Sequence, residues 1–302
     1  MSFIDILLSG QLLFAALLAG SLYGLVALGL NLVYGTMRML NVAHGDIVML
    51  GAYAAFVAYS ALGIAPLYAM PLVALGGAGL GYLMYRTFFK RLLSSQRNGG
   101  GNRMEGNSLL LFFGLSIVIQ NIMALAFSPN SQAYSYLDQV LHVGNVSMTG
   151  NRLLALAVAG GACLAVALFL RRSVTGLAMR ALIERREAAY VVGVDVNRVQ
   201  WLSFALGFGS AALAGALISM LEQFSPFVGF PLTIAGFIVI IMGGLGNLMA
   251  GLAAALLLGV IETYGVALTS ATFRSVLLYG VFVLVLVLFP NGLLSRSAVA
   301  RR

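Results

Sequence analysis

Residues 153–170 read LLALAVAGGACLAVALFL, eighteen consecutive positions without a charge, bounded by Arg152 on one side and Arg171-Arg172 on the other. A run of that length spans a hydrocarbon layer about 30 Å thick as an α-helix rising 1.5 Å per residue. Working outward between breakers, comparable runs fall at 10–34, 45–63, 67–88, 109–128, 152–170, 200–222, 232–249, 251–270 and 274–289. Composition agrees: 61% of the 302 residues are hydrophobic and 9% charged, with a mean hydropathy of +1.00. Soluble domains stand near 45–50% apolar and about 25% charged, so a soluble fold is excluded. Disorder, a collagen-like repeat and a disulfide-stapled secreted fold are excluded too, because Gly has no strict period and Cys163 is the only cysteine. A transmembrane β-barrel needs alternating segments of about ten residues, which these continuous runs are not. The reading is an all-α polytopic membrane protein of eight or nine transmembrane helices, with one or two broken or re-entrant segments. The first basic residue is Arg38, so the opening run lacks the basic flank of a cleaved signal peptide and reads as a retained span.

The net charge of +8 raises nucleic acid as a partner, but the positions of the charges argue otherwise. Most of the 17 basic residues lie in three blocks: Arg86 to Arg103, Arg171 to Arg198, and Arg296, Arg301 and Arg302. Basic residues gathered between spans mark the cytoplasmic side. The stretch 129–150, with no Lys or Arg and only Asp138, then reads as external, the amino terminus as periplasmic and the carboxyl terminus as cytoplasmic. Residues 89–108, around "SSQRNGGGNRMEG", read as a flexible cytoplasmic linker. No boundary for a soluble domain appears, and residues 1–302 form one membrane domain.

Two places interrupt apolar sequence with glycine and polar residues. In 35–46, Arg38, Asn41, His44 and Asp46 fall between two spans; they are either pathway groups, since polar side chains at membrane depth face protein or water, or a short cytoplasmic loop in which Asp46 or Asn41 caps the second span. In 243–251, "GGLGNLMAG", the residues Gly243, Gly244, Gly246 and Asn247 mark a helix break or gate. Paired interruptions in the two halves of a chain are a trace of discontinuous helices in transporters. Small residues at Gly20, Gly24, Ala27 and Gly29 give the first helix a face that another backbone can approach. Glu262 falls within an apolar stretch, where a carboxylate is either functional or satisfied by a neighbouring helix.

Several chemistries have no residues to carry them. The sole lysine, Lys90, stands in no phosphate-binding loop, so ATP is not hydrolysed by this chain. His44 and His142 lack neighbours at metal-ligand spacing. In the loop 171–198, residues 177–192 read as one amphipathic helix ended by Gly193 in a left-handed conformation. Its apolar side is mostly alanine, which suits docking to a protein more than lying on lipid.

Within that helix, Glu187-Ala188-Ala189 followed by Gly193 resembles the coupling pattern of ABC importer permeases. The runs "YGLVALGLNLVYGTMRMLNVAHGDIVMLGAY", "TGLAMRALIERREAAYVVGVDVNRV", "SPFVGF", "MGGLGN", "LLLGVIE" and "LFPNGLL" resemble, in the same order, the permease subunits of branched-chain amino acid ABC importers, the hydrophobic amino acid uptake family. The resemblance covers nearly the whole chain. It implies a transport subunit of the bacterial inner membrane and no enzyme, with no cofactor of its own; ATP and Mg²⁺ belong to two cytoplasmic ABC ATPases. It also implies a second, homologous permease in a heterodimer rather than a homodimer, a periplasmic solute-binding protein, and contact with membrane lipid but no nucleic acid. On this resemblance Gly176, Arg180, Glu187, Ala188, Ala189 and Gly193 couple to the ATPase, and Asn31, Tyr34, Asn41, His44, Gln120 and Glu262 offer polar groups along the translocation path.

The chain departs from the family pattern after "GGLGN", where Leu248-Met249-Ala250-Gly251 replaces a Pro-Gly-Ala segment, and at Ala254-Ala255 and Ala235. These departures bear on cargo: branched-chain or other hydrophobic amino acids are the first reading, and urea, short amides or small aromatic acids the second. An intramembrane enzyme using His44 with Asp46 or Glu262 would need a convergent acid-base or metal set, which the spacing does not offer. A self-sufficient channel or secondary carrier leaves the alanine-rich cytoplasmic helix without a role.

Overall fold

The computed structural model describes residues 9–89, 101–144, 146–289 and 292–293. Among them run eleven α-helices and one two-stranded hairpin. Helix α1 (Gly10–Met37) and helix α8 (Val196–Ile218) form the centre. Around them pack α2 (His44–Ser60), α3 (Pro66–Met84) with a π-helical turn at Tyr85–Phe89, and α4 (Gly101–Phe127). Next in the chain are α5 (Gly150–Arg172) and the short pair α6 (Val174–Glu184) and α7 (Arg186–Val191). The second half adds α9 (Gly229–Gly243), α10 (Leu248–Leu268) and α11 (Arg274–Leu288).

Close backbone approach holds the centre together, as the small residues of α1 suggested. A methyl group on Gly29 would stand 2.9 Å from the Gly207 Cα of α8, and one on Gly20 would stand 2.8 Å from the Leu256 Cα of α10. In lipid, where tails are as apolar as leucine, such packing supplies much of the association between helices. Outward-facing bulky residues such as Leu72, Leu110, Leu125 and Val287 are exposed, as helices bordered by lipid require.

Seven helical segments are long and apolar enough to cross a membrane. The other two apolar segments are shorter, α2 with 17 residues and α9 with 15, about 25 and 22 Å at 1.5 Å per residue, and are called half-helices because each starts inside the bundle. The spans expected at 45–63 and 232–249 are therefore these two half-helices. After the left-handed turn at Arg38, residues 39–41 double back without helix, and α2 starts where the His44 Nε2 lies 3.0 Å from the Val26 carbonyl. Val26 lies about 16 Å before the end of α1 by helix rise, so α2 begins midway through the bundle.

The bundle has two distinguishable ends. At the hairpin end, β1 (Val140–Val143) and β2 (Val146–Thr149) pair antiparallel with Val140 opposite Thr149. The Ser147 N–H donates to Gln11 at the start of α1, and Asn151 donates to the Met220 carbonyl beyond α8. Here burial also raises the Tyr134 hydroxyl above the usual phenol range, beside Ser219 at 3.0 Å. At the opposite, loop end lie α6 and α7.

Three expectations need correction. The helix expected over 177–192 is two helices, because Arg185 takes an extended conformation (φ −148°, ψ 101°), ends α6 and precedes α7. No Gly or Pro forces this break. Packing overrides propensity, burying Met179, Leu182 and Ala189 while turning Tyr190, Val191 and Val192 outward. The linker expected over 89–108 is shorter, since Phe89 closes the π-helical turn and α4 starts at Gly101; residues 90–100 lie outside the described residues, as does the basic block Arg296, Arg301 and Arg302. The stretch 129–150 carries a hairpin where only an external loop was expected.

Gly29→Ala is expected to lower stability by about 1–3 kcal/mol through overpacking against α8. Gly76→Ala, which meets open space, should stay within about 0.5 kcal/mol of the parent. Thermal unfolding of the detergent-purified protein measures both, and equal midpoints for the two variants would refute the packing argument.

Candidate functional site

The start of α2 has no side-chain cap of its own. Neither Asn41 nor Asp46 supplies one, contrary to the loop reading of that stretch. The cap comes from α9: the Gly45 N–H donates to Thr233 Oγ1 at 2.8 Å, 188 residues away in sequence. The same hydroxyl is 2.9 Å from the Val42 carbonyl and 3.1 Å from the Gly229 carbonyl, to which it can donate. One hydroxyl thus satisfies backbone from both half-helices at a depth where water does not reach. Gly229, the first residue of α9, lies against Asp46, where a methyl group would stand 2.9 Å from the Asp46 nitrogen.

Asp46 is buried in the first turn of α2 and against the first residue of α9. Both helix N-termini present partial positive charge, which favours a carboxylate there. Gln120 on α4 donates to Asp46 Oδ1 at 2.9 Å and to Ser116 at 3.0 Å. The Val26 carbonyl can only accept, so His44 carries its proton on Nε2. Its Nδ1, both amide atoms of Asn41 and Asp46 Oδ2 are buried without a hydrogen-bond partner. Such groups cost about 1–3 kcal/mol each, and their concentration at one junction marks a place with a use other than stability. Because Asn41 and His44 are 0% exposed, the junction is shut in this conformation.

A second cluster lies toward the loop end. Asn31 of α1 accepts from the Gly246 N–H at 2.9 Å and donates to the Asn247 carbonyl at 3.2 Å. Asn247 in turn caps α10 by accepting from the Ala250 N–H at 3.1 Å. The turn between Gly243 and Leu248 needs left-handed backbone at Gly244 (φ +91°) and Gly246 (φ +85°), which glycine adopts without steric cost. The Leu293 N–H donates to the Met242 carbonyl at 2.7 Å and closes the end of α9. Asn31 is therefore a latch on the helix break.

Ile183 of α6 packs between the latch and α1. A methyl on Gly35 would stand 3.0 Å from Ile183 Cγ1, and one on Gly246 would stand 3.1 Å from Ile183 Cγ2. Gly176 is buried, while Arg180, Glu187 and Ala188 are exposed beside buried Ala189. Gly193 has φ +80°, with its N–H to the Tyr190 carbonyl and the Val194 N–H to the Ala189 carbonyl, the paired bonds of a Schellman cap.

The six path candidates thus fall in three places. Asn41, His44 and Gln120 meet at the mid-bundle junction. Asn31 sits at the latch, and Tyr34 lies nearby with the Arg38 guanidinium 6.0 Å from its ring centre. Glu262 stands apart at the hairpin end, buried and bonded to Arg274 Nε. Sequence reading missed Thr233, although it is the only polar side chain of α9. It also missed Ile183, which nothing in the sequence distinguishes from its neighbours, and Arg274, although it is the only charged residue between Glu262 and Arg296. Among the described residues no group of three His, Cys, Asp or Glu is placed to hold a metal ion.

Residues 12–286 match the family described as branched-chain amino acid transport system, permease component. The chain belongs to this family. The permease is 31% identical to the high-affinity branched-chain amino acid transport system permease protein BraD of Pseudomonas aeruginosa, over 96% of this chain and 97% of BraD. It is 30% identical to LivH of Escherichia coli, over 96% and 97% of the two chains. It is also 23% identical to LivM of the same organism, over 90% of this chain and 68% of LivM. No solved structure matches it. As a family member the chain is a transport permease, an integral membrane protein.

Asn31→Leu removes both latch bonds while keeping similar bulk. Amide hydrogen exchange at 244–248 is expected to accelerate about 5–30-fold, the factor that one or two kcal/mol produces. Unchanged exchange there would show that the glycine turn holds itself.

Proposed function

We propose that this permease is one of two homologous membrane subunits of an ATP-driven importer in the bacterial inner membrane, and that its cargo is a branched-chain amino acid. The names of BraD and LivH support the cargo, and the match to both LivH and LivM supports a second, non-identical permease. The arginines between Arg171 and Arg198 support a cytoplasmic loop end, with the hairpin end facing a periplasmic binding protein. Two cytoplasmic ATPases hold ATP and Mg²⁺; this chain binds neither.

The observation that carries the mechanism is the seat of Ile183 between Gly35 and Gly246. Around it α6 and α7 present Glu187, Ala188, Tyr190, Val191 and Val192 to the exterior, a small apolar tip suited to a groove in another protein. When the ATPases close on ATP, displacement of α7 moves α6, and Ile183 pushes at once on α1 and on the latched turn of Gly243 to Asn247. That turn joins α9 to α10, and the first turn of α9 meets α2 at the junction through Thr233. A push at the loop end is thereby delivered to the shut polar junction in mid-bundle. Asn41, His44 and Gln120 then offer hydrogen bonds to a solute passing between the two membrane subunits.

Reconstitution of the complete importer in proteoliposomes, with leucine uptake and ATP hydrolysis measured together, tests this reading. Ile183→Ala is expected to lower leucine carried per ATP at least about fivefold, within the range of typical coupling energies, while hydrolysis continues. Normal uptake per ATP in that variant, or leucine flux through the permease chains without ATPases, would overturn it.

A further inference from the structure

Three basic residues stand outside the basic blocks: Arg38, Arg152 and Arg274. Arg152 and Arg274 lie at the hairpin end, where the charge bias that orients membrane proteins disfavours Lys and Arg. Both line a single cavity of about 210 Å³ together with Glu222. Arg274 Nε binds buried Glu262, and its Nη1 reaches Glu222 Oε1 only at 3.5 Å. The buried Glu262 therefore fixes Nε of the Arg274 guanidinium, with the Tyr23 hydroxyl bonded to the same pair, while the long Arg274–Glu222 contact is half-exposed and can open to a ligand, and Arg152 has no ion-pair partner among the described residues. Two arginines against two glutamates leave no formal net charge.

Apart from Tyr23, the remaining walls are apolar, with Leu18, Leu22 and Val26 from α1 and Leu232 from α9. A cavity of about 150 Å³ accepts a molecule the size of benzene, so this one accepts a single small solute. Its floor adjoins the junction: Val26 is the residue whose carbonyl meets His44, and Leu232 precedes Thr233.

We propose that this cavity is a receiving site for a zwitterionic amino acid with an aliphatic side chain. Arg152 and Arg274 take the α-carboxylate as Glu222 turns from Arg274 to the α-ammonium, and Leu18, Leu22, Val26 and Leu232 surround the side chain. A solute with only one of the two charges leaves an arginine or a glutamate without a partner in a partly desolvated site. The inference deepens the proposed function and rests on its cargo being an amino acid released at the hairpin end.

The test uses the complete transporter in nanodiscs and saturation-transfer NMR with three probes. These are leucine, 4-methylpentanoate, which lacks the ammonium, and 3-methylbutylamine, which lacks the carboxylate. Leucine is expected to bind at least about tenfold more tightly than either analogue, the factor one lost charge-assisted hydrogen bond produces. Arg152→Gln should weaken leucine and 4-methylpentanoate but leave 3-methylbutylamine unaffected. Glu222→Gln should weaken leucine and 3-methylbutylamine but leave 4-methylpentanoate unaffected. A purely structural charge cluster would shift all three probes alike, and that result would overturn the proposal. Wild-type rates of leucine uptake in both variants would also overturn it while leaving the proposed cargo intact. The crossed pattern in a transporter that carries no branched-chain amino acid would support the site and refute the cargo instead.

Discussion

A backbone that stops being helical halfway through a membrane has no water to take its N–H and C=O groups, so other parts of the protein must. In this permease the Thr233 hydroxyl does so for both half-helices, taking the Gly45 N–H and facing the Val42 and Gly229 carbonyls. Without that hydroxyl the start of α2 would hold an unpaired N–H at a depth where a lost partner costs several kcal/mol. Placing α2 and α9 end against side in mid-bundle is what gathers Asn41, His44 and Asp46 there. The polar junction is a consequence of the broken helices, and the broken helices persist because the junction satisfies them.

The same accounting explains the second break. Between α9 and α10 the chain turns on Gly244 and Gly246, and the groups freed by the turn go to Asn31 on α1. Both discontinuities are therefore fastened to α1, one through the Val26 carbonyl and one through Asn31, about 8 Å apart along the helix by rise. Helix α1 is also pressed against α8 at Gly29 and against α10 at Gly20. With both discontinuities fastened to it, a displacement at either one must be taken up by the partners that move along α1.

Much of this was legible in the chain. Nine apolar segments, the break at 243–247 and the close-packing face of α1 follow from residue type and spacing, because burial and backbone freedom are local properties. The mid-bundle starts of α2 and α9 were not legible, since apolar length counts residues and does not show that residues 39–41 fold back along α1. Nor was the cap on α2: the sequence offers Asp46 and Asn41 nearby, whereas the structure uses Thr233 from the far end of the chain. The break at Arg185 has no breaker residue behind it, only the gain from burying Leu182 and Ala189 together. Glu262 stood out as a lone intramembrane carboxylate, and Arg274 is the next charge along the chain, but spacing alone does not show that the turn after α10 brings the two together.

The placement of charge separates the two ends of the molecule by task. At the loop end Arg171, Arg172, Arg180, Arg185, Arg186 and Arg198 form no ion pairs among the described residues, and the positive charge gathered there needs no particular geometry. At the hairpin end the same residue type is scarce and geometrically fixed: buried Glu262 holds Arg274 by Nε, and Glu222 and Arg152 share its cavity. A buried carboxylate is costly unless an opposite charge answers it, so Glu262 confines Arg274 to one orientation before any solute arrives. Preorganisation of that kind lowers the ordering cost of binding. On the proposed receiving site, this gives a role to Glu262, which lies behind the cavity wall and sets the geometry of Arg274 without touching the solute.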